Sequence, residues 1–139
     1  MRYFPAFLDL KDRPCLVVGG GAPAARKARL LVKAGARVTV VAPSAGSEVE
    51  DLAAQGALRL VRRGFLAGDV GGRAVVGGRA VVVSATGLDE VDARVAEAAH
   101  AAGVPVNVVD RPGLSSFVVP AIVERGPVVI GRASCRERV

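Results

Sequence analysis

Short apolar runs alternate with amphipathic stretches along most of this chain, and their order predicts its architecture. Arg13–Val18 holds the apolar run Cys15-Leu16-Val17-Val18, closed by three glycines, and reads as a strand buried on both faces. Ala24, Ala28, Leu31 and Val32 then recur at helical spacing. Pro23 sits in the first turn, where a missing N–H costs little, and Gly35 is the stop. Arg37–Val41 repeats the strand pattern and ends at Ala42-Pro43-Ser44, Ser47–Gln55 predicts a short helix, and Leu58–Val61 predicts a third strand. Ala80–Ser84 and Val104–Val109 predict two further strands. Between them Leu88–Ala102 is helical, with Val91, Val95, Ala98 and Ala99 on one face. Strands joined through a helix within about thirty residues are parallel, with right-handed crossovers. The expected fold class is therefore α/β, a doubly wound parallel sheet of the Rossmann-like kind, after a lead-in over residues 1–12 that carries Tyr3, Phe4, Phe7 and Leu8.

Three stretches depart from that rhythm. Gly71–Val76 (GGRAVV) is followed at once by an identical copy, Gly77–Val82. One copy suffices to lead into the fourth strand, so Gly77–Val82 is expected to do so and Gly71–Val76 to be a more exposed, looped-out insertion, which is cheap in closure entropy. After Asp110-Arg111-Pro112 the pattern changes again. Ser115–Pro120 and Val128–Ile130 flank Val123-Glu124-Arg125-Gly126-Pro127 and predict two antiparallel strands. The last ten residues, IGRASCRERV, match the translation of a common sequencing-library adapter and continue no apolar periodicity. The division expected is a dinucleotide-binding domain over 1–112, the start of an antiparallel dimerisation segment over 113–129, and a non-native tail over 130–139.

Composition narrows the function. Hydrophobic residues make up 51% of the chain, mainly Val, Ala and Leu, and there is no Trp, as suits strands covered on both faces. No apolar run approaches the roughly 18 residues needed to span a bilayer, so no membrane partner is expected. Cys15 and Cys135 form neither a metal spacing nor a disulfide framework, which suits a reducing cytoplasm. The net charge of +6 raises nucleic acid as a partner, but the arginines are scattered and not interleaved with aromatics. They read as a solvated basic surface, one that would also suit a small polyanionic substrate.

The candidate chemistry starts at the first strand's end. Gly19-x-Gly21-x-x-Ala24 fits the G-x-G-x-x-G/A pattern, with a strand before it and a helix after it. Such glycines turn the chain sharply and admit a pyrophosphate to the backbone, and the helix N-terminus offers unpaired N–H groups. Gly19 and Gly21, with Ala22 and Pro23 at the helix start, are the first cofactor-binding candidates. Pro43 and Ser44 end the second strand, where such folds hold the adenosine ribose, although the usual Asp or Glu is missing there. Thr86, just past the fourth strand, is the candidate for the nicotinamide half. Asp110 stands at the carboxyl end of the fifth strand and is the catalytic candidate, against the plainer reading of an Asp-x-Pro turn. His100 reads as solvated, and Arg26 and Lys27 as either ordinary helix charges or contacts for substrate carboxylates. No metal ligands are expected.

These residues carry a family resemblance. Phe4-Pro5-x-Phe7-x-x-Leu10-x-x-Arg13-x-Cys15 through Gly21, Ala25-Arg26-Lys27, Gly35-Ala36-x-Val38 through Pro43, Ala85-Thr86, Asn107 through Asp110, and Phe117-x-x-Pro120-Ala121 resemble the N-terminal module of the siroheme synthase family, the precorrin-2 dehydrogenase/sirohydrochlorin ferrochelatase group, over residues 3 to 129. The resemblance implies NAD-dependent oxidation of precorrin-2 to sirohydrochlorin, followed in many members by insertion of ferrous iron, with Asp110 as general acid/base for both steps. It also implies a homodimer in the intact protein. That family continues beyond Val129, so a chain ending as this one does is expected to show little activity by itself. The alternative is an NAD-binding regulatory module without catalysis, which would ordinarily carry an acidic residue where this chain has Pro43-Ser44.

Overall fold

Val17 and its neighbours form the centre of the molecule. The computed structural model describes residues 1–71 and 78–134. Its elements in chain order are β1 (Pro14–Val18), α1 (Ala22–Lys33), β2 (Arg37–Val41), α2 (Ser47–Ala54), β3 (Arg59–Val61), α3 (Gly68–Gly71, a single turn), β4 (Val81–Ser84), α4 (Asp89–Ala102), β5 (Val106–Val108), β6 (Ala121–Arg125) and β7 (Val128–Arg132). The first five strands make one parallel sheet in the order β3-β2-β1-β4-β5. The doubly wound arrangement expected from the apolar pattern is the one observed.

Alternation along each strand divides the core in two. Cys15, Val17, Val38, Val40, Val81 and Val83 point to the face covered by α1 and α2, against Ala24, Ala25, Ala28 and Val49. Leu16, Val18, Val41, Val82, Val106 and Val108 point to the other, against Val95, Ala96 and Ala99 of α4 and Val70 of α3. Alanines on both helices let their backbones come close to the sheet. No helix among the described residues is long and apolar enough to cross a membrane.

Two expectations need adjustment. The antiparallel pair exists, but its first strand is β6, Ala121–Arg125, and not Ser115–Pro120. The reason lies in Ser115 and Ser116. Val108 and Val106 donate their N–H groups to the two serine hydroxyls at 2.9 Å each, Ser116 N–H returns a bond to Val106 O at 2.8 Å, and Asn107 Nδ2 donates to Phe117 O. The 115–117 segment is thereby spent on sealing the free edge of β5. The hairpin starts only after Pro120 and turns at Gly126-Pro127, where Gly126 takes a φ of 55°. Its second strand runs through Arg132, two residues past the expected Val128–Ile130, because ladder bonds need backbone and not apolar periodicity.

Half of the tandem GGRAVV, residues 72–77, lies outside the described residues, and with it the expectation that Gly71–Val76 is looped out. Its flanks are described. Gly71 is exposed, Val81 and Val82 are buried, and Arg79 N–H donates to Val70 O at 3.1 Å, so the described residues on either side lie together.

Candidate functional site

The strand order reverses between β1 and β4, and the carboxyl edge at such a switch point is where open α/β sheets bind ligands. Three glycines shape it, each differently. Gly19 has a φ of 125°, and a Cβ there would lie 2.3 Å from Ala85 O and 3.2 Å from Thr86 N. The turn after β1 is thus pressed against the chain leaving β4, and only glycine fits. A Cβ on Gly20 would lie 2.1 Å from Ser44 O, and Gly46 N–H donates to Gly20 O at 2.8 Å, which locks the same turn to the loop after β2. Gly21 is the N-cap of α1 and faces outward, with nothing nearer to a Cβ than Pro23 Cδ at 3.7 Å. The first helical bond runs from Ala25 N–H to Gly21 O. The amides ahead of it point out of the helix end toward open space, and no acidic side chain fills the first turn. A pyrophosphate fits this cradle.

Pro43 and Ser44 are exposed beside the turn. The two arginines after β3 are occupied. Arg62 holds Glu50 in a two-pronged pair with Nη2–Oε2 at 2.7 Å, and Arg63 holds Asp69 at 2.8 and 2.6 Å.

Thr86 is held by a residue that sequence reasoning passed over. Asp92, in the first turns of α4, is buried, and its Oδ1 accepts the hydroxyls of Ser84 and Thr86 at 2.7 Å each and Thr86 N–H at 3.3 Å. Leu88 N–H in turn donates to Thr86 Oγ1 at 3.1 Å. The Thr86 hydroxyl is therefore committed to the protein, and what this residue offers a ligand is its fixed position and its methyl group. The only advance signal was Ser84-x-Thr86 standing just before an acidic helix start.

Asp110 follows β5 at the same edge, exposed, with a φ of 62° that aspartate tolerates better than most residues. Its loop is pinned to α4 twice. Arg111 Nη1 meets Asp89 Oδ1 at 2.6 Å, and His100, expected to be merely solvated, donates from Nε2 to Leu114 O at 3.0 Å. Across from it Lys27 stands half-buried on α1 with no ion pair among the described residues. Burial lowers the Lys27 pKa, Arg26 lowers it further, and the Asp110 charge opposes them. Gly19, Gly21, Ala22, Pro23, Pro43, Ser44, Thr86 and Asp110 thus share one edge of the sheet. Gly20, Asp92 and Lys27 join them.

Comparison with known proteins follows the geometry. Residues 6–121 match the model of a protein family described as "Putative NAD(P)-binding". The siroheme synthase of Saccharophagus degradans is 45% identical over 134 residues, covering 96% of this chain and 28% of that protein. That of Methylococcus capsulatus is 47% identical over 130 residues, covering 94% and 26%. A solved precorrin-2 dehydrogenase superimposes with a TM-score of 0.77 at 28% identity, over 96% of this chain and 62% of the other. The chain spans little more than a quarter of the length of these curated relatives.

Proposed function

The chain belongs to the NAD(P)-binding family matched over residues 6–121, and from that premise we propose that it oxidises precorrin-2 to sirohydrochlorin, with NAD+ as the hydride acceptor. One observation carries the reading. An outward-facing glycine turn at a helix N-terminus and an exposed carboxylate occupy the same edge of the sheet, with Lys27, not ion-paired among the described residues, on the helix that follows the turn. The likeness to a solved precorrin-2 dehydrogenase supports the substrate.

Gly19 and Gly21, with the Ala22 amide, cradle the pyrophosphate, and Pro23 shapes the helix start without donating. Pro43 and Ser44 take the adenosine ribose. The family resemblance favours NAD over NADP, and the state of the neighbouring cations is in keeping with that choice. Arg62 and Arg63 are both paired to carboxylates, so neither is free to receive a 2′-phosphate. Thr86, fixed by Asp92, forms the wall of the nicotinamide site. When bound, the nicotinamide supplies the acceptor for one hydrogen with its electron pair. The second hydrogen leaves the macrocycle as a proton, and Asp110 accepts it. Lys27 holds a substrate carboxylate near that base. In ferrochelatase members of the resembling family the same carboxylate would take pyrrole protons as ferrous iron, a substrate, enters. Dimerisation would run through the segment that begins at residue 113.

The test is turnover of precorrin-2 with NAD+ followed by NADH absorbance, beside NAD+ titration of the same preparation. Turnover that is lost in Asp110→Asn with NAD+ binding retained supports the proposal. NAD+ binding without any turnover in the unaltered protein, alone or within a longer natural chain, would leave a ligand-sensing module instead.

A further inference from the structure

The arginines that look scattered in the sequence are not scattered in space. Arg37 opens β2, Arg59 opens β3, and Arg79 stands two residues before β4. Because these strands are parallel, all three starts lie on one edge of the sheet, opposite the glycine turn. There they line a groove of about 700 Å³ together with Pro14, Thr39 and Leu58. That size lies within the range of small-molecule sites.

The three guanidiniums make few contacts of their own among the described residues. Arg37 Nε donates to Asp12 O at 3.0 Å, and Arg79 donates from Nε to Asp69 O at 3.0 Å and from Nη1 toward Thr39 Oγ1 at 3.5 Å. Arg59 has no hydrogen-bond partner among the described residues. None of the three is ion-paired there, whereas Arg29, Lys33, Arg62, Arg63 and Arg111 all are. The Asp69 carboxylate is committed to Arg63. Burial lowers the Arg79 pKa, and Arg59 and Arg37 push the same way against Asp69 and Cys15. Converging like charges in a groove create a field that an anion would relieve. Planar guanidiniums with free prongs suit oxyanions such as phosphate or carboxylate.

We propose that this groove, formed by Arg37, Arg59 and Arg79 with Thr39, is a second binding site, for a small polyanion bearing phosphate or carboxylate groups. It acts independently of the nucleotide edge and does not rest on the dehydrogenase reading.

Isothermal titration of the full chain with tripolyphosphate, and separately with citrate, at constant ionic strength tests it. Saturable binding of one equivalent is expected for at least one of them, and the tighter of the two identifies the preferred oxyanion. Arg59→Ala removes an exposed, partnerless side chain and should weaken that binding by about tenfold or more. Arg94→Ala removes the same charge from the exposed side of α4, on the sheet's other face, and should change it by less than about twofold, as expected of a screened surface charge. Arg37→Ala gives a second reading at the groove, with thermal unfolding as the check that each variant is folded. Failure of both anions to saturate, equal loss in Arg94→Ala, or displacement of the anion by NAD+ would overturn the proposal.

Discussion

Asp110 combines an exposed carboxylate with a left-handed backbone, and the two properties can be separated by substitution. Asparagine tolerates that backbone nearly as well as aspartate but cannot take a proton. Asp110→Asn is therefore expected to lower precorrin-2 turnover by roughly 10²–10⁴-fold, while NAD+ affinity and unfolding midpoint stay close to the parent. A fall in NAD+ affinity of similar size would recast Asp110 as a cofactor ligand. Asp92 behaves differently. Its buried oxygen satisfies two hydroxyls and an amide, so Asp92→Ala leaves the Ser84 hydroxyl without its acceptor and the Thr86 hydroxyl with only Leu88 O at 3.3 Å, and should destabilise the fold by about 2–4 kcal/mol in urea unfolding. Asp110 was legible from its place after a strand and before a proline. Asp92 was not, since an acid in a helix's first turns is ordinarily a solvated complement to the dipole. Only the approach of β4 to α4 turns it inward.

At the scale of elements, local chemistry and long-range packing separate what could be read from what could not. Arg37–Val41 was read to the residue because an unbroken β-branched run between Gly35 and Pro43 leaves one choice. The hairpin was displaced by several residues because Ser115 and Ser116 resemble the start of a strand until β5's open edge claims their hydroxyls. Gly20 looked like a spare glycine between two motif positions, and nothing in the spacing announced Ser44 O behind it. Gly20→Ala should consequently destabilise the protein by more than about 2 kcal/mol, seen as a lowered thermal midpoint, since the obstacle is backbone and cannot rotate away. Gly21→Ala faces open space and should spare stability while weakening NAD+ binding. The tandem GGRAVV makes an opposite prediction. A Cβ on Gly71 would lie 4.0 Å from Gly78 Cα, so the two flanking backbones come close together. Deleting residues 72–77 should therefore join the flanks with little rearrangement and shift stability by about 1 kcal/mol or less. A loss of cooperative unfolding would show that the first copy, Gly71–Val76, is part of the core.

For the molecule as a whole, parallel topology sends each end of every strand to its own edge. The glycine turn, Thr86 and Asp110 gather at one, and Arg37, Arg59 and Arg79 at the other. Neither gathering is visible in a linear count of charges, although the first was predictable once the strands were assigned. The hairpin stands apart from this body. All of Ala121–Arg132 is exposed, including Ile122, Val123, Val128, Val129 and Ile130. Its visible ties to the sheet domain are an exposed Lys33–Glu124 pair at 2.8 Å, worth at most about 1 kcal/mol, and the half-buried stretch from Phe117 to Pro120. A two-stranded ribbon with uncovered apolar faces and free edges is marginal alone and seeks further pairing. The 139-residue chain should accordingly associate as its concentration rises, in sedimentation velocity at moderate salt. Val129→Lys, which places a charge on the ribbon without touching the parallel sheet, should shift it toward monomer and leave its thermal midpoint nearly unchanged. A monomer at all concentrations, or association untouched by Val129→Lys, would show that the hairpin is not what self-associates.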